Sequence, residues 1–255
     1  MLKFLGRGSC FNVKEGNNCA YIKENGTLLL IDCGENIFDR ILKFDILKEV
    51  KNVYVLITHF HSDHVGSLPS FIYYCHYALD IMPKIYFPDK NYLIEYLRRV
   101  GVIENENYKI LNTTFMGEIP ELELDFSCCE TTHYSYYESQ QYMHKLSFDE
   151  SKFNNYFRCF SYYLYKNEDT IFYSGDSNNI PDLALSALLN DENVKIYQDT
   201  SYKEDQYKAH LSFNKLKELI PKECRNRVYC MHITDSNEFI KEAVEEGFNV
   251  VSVSV

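Results

Sequence analysis

The chain has 255 residues, 45% of them hydrophobic and 25% charged, ordinary values for a soluble globular protein of one large domain or at most two small ones. This composition excludes a disordered or collagen-like chain, and a core of this size needs no disulfide staples. Thirty-seven acidic against 26 basic residues leave a formal net charge of −11. That balance argues against a general polyanion binder, because non-specific nucleic-acid affinity comes from Lys and Arg neutralising phosphates. In chain order, Asn25-Gly26 is a hairpin turn pair between predicted strands 19–24 and 27–32. Apolar positions at Ile37, Ile41, Phe44 and Leu47 predict a helix over 36–48, and the β-formers of 52–57 predict a buried strand. A helix over 65–79 follows, with Pro69 near its start. Then come a short strand at 84–87 and a helix at 89–100. Residues 121–131, 157–166 and 169–174 read as strands, and 179–189 as a helix. Alternation closes the chain: strand 194–199, helix 212–220, strand 227–231, helix 236–246 and strand 248–254.

Strand-rich halves that each end in strand–helix alternation predict two sheets with helices outside. No Gly/Ser- or Pro-rich linker divides them, so residues 1–255 are expected to form a single domain. The segment 134–156 is polar, aromatic and aperiodic, and reads as an inserted loop; long loops of this kind often cover sites. No apolar run suggests a membrane span, and the opening Met1–Gly6 lacks the apolar core of a signal peptide. The nine cysteines include no Cys-x-x-Cys pair. Reduced thiols in a cytoplasmic protein are expected.

The most informative stretch is Thr58-His59-Phe60-His61-Ser62-Asp63-His64-Val65-Gly66. It follows a run of β-formers, where a strand gives way to a helix. His59 and His61 are two apart, so both rings can point to one side of an extended chain. Asp63 and His64, after a turn, can face a second position nearby. Imidazole and carboxylate suit Zn²⁺, Mn²⁺ or Fe, and a desolvated cluster of such groups is unfavourable without a cation to compensate. Farther along, His133, Asp176 and His232 each follow a predicted strand, where side chains from separate strands can converge. His210 stands just before the helix opened by Ser212. His76 lies on a predicted helix with Tyr73 and Tyr77 and reads as structural. His144 lies in the insertion.

These residues resemble the metallo-β-lactamase superfamily, an α/β fold in which an αββα four-layer sandwich carries a two-metal site. His59-x-His61-x-Asp63-His64, then His133, Asp176 and His232, match its dinuclear ligand set in order and placement. The resemblance implies that His59, His61 and His133 hold one metal, that Asp63, His64 and His232 hold the second, and that Asp176 bridges. His61 is not the Glu of the di-iron flavoprotein branch, and no Cys replaces Asp176 as in many true β-lactamases. Phe4-Leu5-Gly6-Arg7-Gly8-Ser9 resembles the Leu-Gly-x-Gly-Ser opening of ribonuclease Z and its relatives. Leu30-Ile31-Asp32-Cys33-Gly34, Ser174-Gly175-Asp176-Ser177, His210-Leu211-Ser212 and Met231-His232-Ile233-Thr234 resemble further motifs of that branch. The length and the ending Glu246–Val250 are also similar to the phosphoribosyl cyclic phosphodiesterase. Two departures stand out. The 42 residues between His133 and Asp176 lack the Gly/Pro-rich basic arm that ribonuclease Z uses to grip tRNA. Where that enzyme has His-Glu-Ala-Thr, this chain has Tyr197-Gln198-Asp199-Thr200.

The resemblance therefore implies a metal-dependent phosphodiesterase acting on a small or cyclic nucleotide or an RNA 3′ end, with the acidic charge disfavouring a tRNA-sized substrate. A carboxylic ester, thioester or lactone hydrolase on the same metals is the alternative, and a non-enzymatic metal-binding module a third reading. Two divalent ions are implied, Zn²⁺ by default, with Mn²⁺ and Fe open. Asp63 would orient the nucleophile, and His210 is the candidate acid for the leaving group. Asp199 could orient His210 or a ligand imidazole. Asp32 reads equally as such an orienting carboxylate and as a turn residue. The aromatic insertion (Tyr134, Tyr136, Tyr137, Tyr142, Phe148, Phe153, Tyr156, Phe157) reads equally as a substrate lid and as a packed loop. Arg158 and Lys145 are candidates to meet a phosphate. Gly8, Ser9, Asn17 and Asn18 are candidates to shape a pocket. A homodimer is usual among such relatives, and no membrane partner is expected.

Overall fold

A computed structural model describes residues 2–111, 114–131, 133, 158–203, 208–234 and 237–253. Met1–Ser127 with Val251–Val255 form one compact unit and Cys128–Val250 a second. Among the described residues no helix is long and apolar enough to cross a membrane, and the nine cysteines form no disulfide.

The first unit holds a six-stranded sheet in the order β1-β2-β3-β4-β5-β6, built from Lys3–Gly6, Cys19–Glu24, Thr27–Ile31, Asn52–Leu56, Lys84–Tyr86 and Lys109–Ile110. Strands β1, β2 and β3 pair antiparallel, and β3 to β6 run parallel. The β2–β3 hairpin turns at Asn25 and Gly26, which both take positive φ, 51° and 71°, as a type I′ turn requires. Strand β3 is buried throughout its length and β4 at all but its first residue. Near-continuous apolar runs of this kind mark parallel strands covered on both faces.

Four α-helices accompany this sheet: α1 (Ile37–Lys43), α2 (Ser62–Val65), α3 (Leu68–Tyr73) and α4 (Lys90–Arg99). Two predicted helices are shorter or more broken than their periodicity suggested. The 36–48 helix stops at Lys43 because Asp45 turns left-handed, with φ 51°. The 65–79 helix is three pieces. Pro69 falls in the first turn of α3, where its missing N–H costs nothing but continuity with α2 is lost. Tyr74–Ala78 then widen into a π-helical turn.

The second sheet has eight strands in the order β14-β13-β11-β10-β9-β8-β7, with β12 paired to β11. They are Met116–Ile119 (β7), Leu124–Thr131 (β8), Cys159–Lys166 (β9), Asp169–Tyr173 (β10), Val194–Ser201 (β11), Leu211–Ser212 (β12), Val228–Met231 (β13) and Asn249–Val250 (β14). The predicted strand 121–131 begins only at Leu124, because Pro120–Leu122 form a 3₁₀ turn and Glu123 takes φ 49°. The predicted strand 248–254 is reduced to β14 plus an isolated bridge from Val253 to Phe4. Strands β10, β11, β13 and β14 run parallel. Helices α5 (Asp182–Asn190), α6 (Phe213–Leu219) and α7 (Asn237–Glu245) belong to the second unit. Its core joins Phe172, Ile196 and Val228 of the strands to Leu188, Leu216, Phe239 and Ala243 of the helices. Phe239 and Ala243 are four apart, one face of α7. The insertion at 134–156 lies outside the described residues.

Candidate metal centre

In the first unit, ligand candidates gather where β3 and β4 end. Ile57 donates its N–H to the Tyr86 carbonyl at 3.0 Å, and the chain then leaves the sheet. His61 is extended (φ −66°, ψ 151°) and opens α2. Its carbonyl accepts from the His64 and Val65 N–H groups. Asp63 and His64 on α2 are buried. His59 Nε2 lies 3.0 Å from His61 Nδ1, and His64 Nε2 lies 3.4 Å from Asp63 Oδ2. Gly34 lets α2 approach this closely. A Cβ there would collide with the Asp63 carbonyl oxygen and stand 2.7 Å from Asn17 Cβ.

Asp32, directly after β3 and fully buried, organises this cluster. Its Oδ2 is 2.8 Å from His64 Nδ1, and Thr58 donates both its N–H and its hydroxyl to the carboxylate at 2.8 Å. Thr58 Oγ1 is also 3.1 Å from His59 Nδ1. Burial pushes the Asp32 carboxyl above its ordinary pKa, against the pull of His64 and Thr58. A carboxylate on Nδ1 fixes the ring and leaves Nε2 for a cation, the usual outer partner of a metal-bound histidine. Thr58 went unread in the sequence, although it directly precedes the first histidine of the motif.

In the second unit the candidates come from separate strand ends. His133 stands two residues past β8, Asp176 lies in the turn after β10, and His232 directly follows β13 with φ 55°. His133 Nε2 is 3.9 Å from Asp176 Oδ2, and His232 Nε2 is 3.5 Å from Asp176 Oδ1. Asp199, buried on β11, faces two imidazoles: His210 Nδ1 at 2.6 Å and His232 Nδ1 at 3.3 Å. Asp176, Asp199, His210 and His232 each offer one ligand atom within 4.8 Å of the others.

Burial works to raise the Asp199 carboxyl, but the two imidazoles outweigh it and hold its pKa below the usual range. Burial works to lower His210, but the Asp199 charge and hydrogen bond, with Asp176, raise it above ordinary histidine. The turn carrying Asp176 also fixes this pair. Ser177 N–H donates to Asp199 Oδ2 at 3.0 Å, Ser174 Oγ accepts from the Asp199 N–H at 2.9 Å, and Leu211 N–H donates to the Ser177 carbonyl at 3.2 Å. Ser177 is thus a second organising residue that the sequence did not single out. Imidazole nitrogens and carboxylate oxygens converging in buried positions are chemically fit to hold divalent ions.

Other expected residues fall elsewhere. Arg158 is engaged by Glu130 through two hydrogen bonds, at 3.1 and 2.9 Å. His76 contacts Tyr77 on the π-helical turn. Ser9, Asn17 and Asn18 are buried, and Asn17 exchanges hydrogen bonds with Asn36. His144, Lys145 and the aromatics of the insertion lie outside the described residues.

The architecture has close structural counterparts. A metallo-β-lactamase fold protein, YhfI of Bacillus subtilis, superposes with a TM-score of 0.67 at 12% identity, covering 100% of this chain and 97% of that one. A diphosphatase of the PhnP family gives 0.71 at 15% identity, covering 100% and 95%. The short form of human tRNase Z gives 0.65 at 16% identity, covering 100% and 99%. The protein therefore has the metallo-β-lactamase fold, in the part of fold space that includes ribonuclease Z and PhnP. Residues 1–251 match the family model described as Anti-Pycsar protein Apyc1, and the chain belongs to that family. The Anti-Pycsar protein Apyc1 of Saccharibacillus brassicae is 26% identical over 244 residues, spanning 93% of this chain and 91% of that one.

Proposed function

We propose that this chain is a metal-dependent phosphodiesterase acting on a small or cyclic nucleotide. The observation that carries the reading is the clamp of Asp199 between His210 and His232, at 2.6 and 3.3 Å. One carboxylate thereby joins a candidate proton donor to a candidate metal ligand. Family membership and the ribonuclease Z-like motifs support the same class. In this reading His59, His61 and His133 hold one ion, and Asp63, His64 and His232 hold the second. Asp176 serves both. Zn²⁺ is the default for such donors, with Mn²⁺ and Fe as alternatives.

Two divalent ions would supply charge neutralisation at the phosphoryl oxygens and acidify a water. The chain's own residues do the rest. Asp63 orients the attacking water. His210 has its Nδ1 engaged by Asp199, so Nε2 delivers the proton to the departing alkoxide. Asp199 holds that ring in place and steadies it through its change of charge. The net charge of −11 and the lack of a basic arm support a small substrate over a tRNA-sized one.

Elemental analysis joined to turnover of bis(p-nitrophenyl) phosphate, with and without added Zn²⁺ or Mn²⁺, tests the reading. Near two metals per chain with metal-dependent turnover supports it, and a panel of cyclic and linear nucleotides then defines the substrate. Two metals with turnover only of thioesters or lactones replaces it with the carboxyl-ester reading. No metal after reconstitution overturns it.

A further inference from the structure

We infer that Phe60 and the aromatic socket around it are positioning residues that set how tightly the His59–His64 ligands bind the metal ions they share in. The inference rests on the reading of His59, His61, Asp63 and His64 as metal ligands. Phe60 lies between the two histidines of the motif. In an extended stretch alternate side chains point to opposite sides, so the Phe60 ring leaves on the face away from both imidazoles. There it meets three rings edge-on. Phe87 lies at 4.7 Å and 88°, Tyr92 at 4.7 Å and 80°, and Tyr96 at 5.0 Å and 67°. Edge-to-face contacts are directional, so they fix where the Phe60 backbone sits as well as excluding water.

The socket is itself anchored. Phe87 directly follows β5 and is buried. Tyr92 and Tyr96 are four apart on α4, beside the buried Leu93 and Leu97. Asp89 fixes the helix start by accepting the Tyr92 N–H at 3.1 Å. Tyr96 has a second partner, because its hydroxyl donates to the Val65 carbonyl at 3.3 Å. Val65 ends α2, the helical turn that presents Asp63 and His64. One helix therefore braces both segments of the cluster: the His59–His61 stretch through Phe60, and the Asp63–His64 turn through Tyr96. A ligand pair on a surface loop would otherwise have to be ordered by the metal itself, at a cost in affinity.

The test uses the full chain, stripped of metal and refilled with Co²⁺ against a competing chelator, with the cobalt absorption spectrum as a second readout. His61→Ala marks the loss of a ligand. Phe60→Ala is expected to weaken Co²⁺ binding roughly 10–100-fold, the range for losing an outer partner of a metal site, and to alter the cobalt bands while circular dichroism stays native. Phe60→Leu, which restores bulk without a ring, should recover part of the affinity. Tyr96→Phe keeps the ring and loses the Val65 bond, and should give a smaller shift in the same direction. Wild-type affinity and spectrum in folded Phe60→Ala and Tyr96→Phe overturn the inference while leaving the metal reading intact. Should Phe60→Ala not fold, Phe60→Leu and Tyr96→Phe decide it, and wild-type binding by both overturns it. A wild-type chain that takes up no Co²⁺ overturns the metal reading, and this inference with it.

Discussion

Within the first unit, four ligand candidates lie between His59 and His64, on one loop and one helical turn. Within the second, His133, Asp176 and His232 come from three strand ends far apart in the chain. Behind the ligand candidates of each cluster stands a further buried carboxylate, Asp32 in the first and Asp199 in the second, and the two are used differently. Asp32 meets one imidazole and the Thr58 N–H and hydroxyl, and burial prevails in raising its pKa. Asp199 meets two imidazoles, and they prevail in lowering its pKa. The shift thus runs upward where one imidazole shares the carboxylate and downward where two do. Asp32 ties a ligand candidate to the backbone, whereas Asp199 ties one to the candidate acid. Different consequences of mutation follow.

The most damaging changes remove ligand candidates, and they should be equally severe in the two units. His61→Ala and Asp176→Ala are each expected to abolish turnover and lower the metal content measured by elemental analysis. Retention of full metal and activity by either variant would break the parallel at its base. The next tier separates the carboxylates. His210→Ala should cut the rate by about 10²–10⁴, the usual contribution of a general acid, with metals retained. Asp199→Asn should cost at least as much and also loosen metal, because His232 loses its partner. Asp32→Asn is expected to act mainly on metal affinity, by roughly 10–100-fold, with saturated turnover recovering in excess metal. Identical behaviour of the two Asn variants in metal titrations and kcat would erase the distinction.

The same contrast explains what was legible in the sequence. The first cluster could be read because its ligands are contiguous and their spacing is a local matter: alternation around Phe60, then a helical turn. The second could be found only through strand ends and motif resemblance, since no local period links His133 to His232. Thr58 and Ser177 were missed because each acts mainly through backbone and hydroxyl bonds to a distant aspartate, which side-chain chemistry does not announce. Two sheets with outer helices were readable from strand–helix alternation and the long buried strands from apolar runs, while the four-layer sandwich followed from the family resemblance. The helix over 65–79 was not, because an apolar period cannot distinguish a continuous helix from pieces broken at Ser67–Pro69 and widened at Tyr74–Ala78. The short pairings β1, β6, β7 and β12 carry too few residues for any period to show.

The smallest expected effects concern two buried hydroxyls that stitch the site loops, one in each unit. Ser67 Oγ donates to the Gly34 carbonyl at 2.5 Å and accepts from the Phe38 N–H at 3.1 Å. It thereby holds the turn that lets α2 approach. Ser177 Oγ donates to the Asn179 carbonyl at 2.8 Å and lies 2.5 Å from Thr131 Oγ1. Alanine at either position removes these hydrogen bonds, which costs about 0.5–1.5 kcal/mol for each bond lost. At Ser177, however, the contacts that matter to the chemistry belong to the backbone: the N–H on Asp199 and the carbonyl on Leu211 and Gln198. Alanine keeps all three. Ser177→Ala should therefore lower the denaturation midpoint while leaving kcat and metal content near wild type. Ser67→Ala should lower the midpoint similarly but weaken metal binding as well, because the contact it supports fixes the backbone of Asp63 itself. Equal metal affinities for the two variants would show that Gly34 needs no such support, and would place the tolerance of the first cluster in α2 alone.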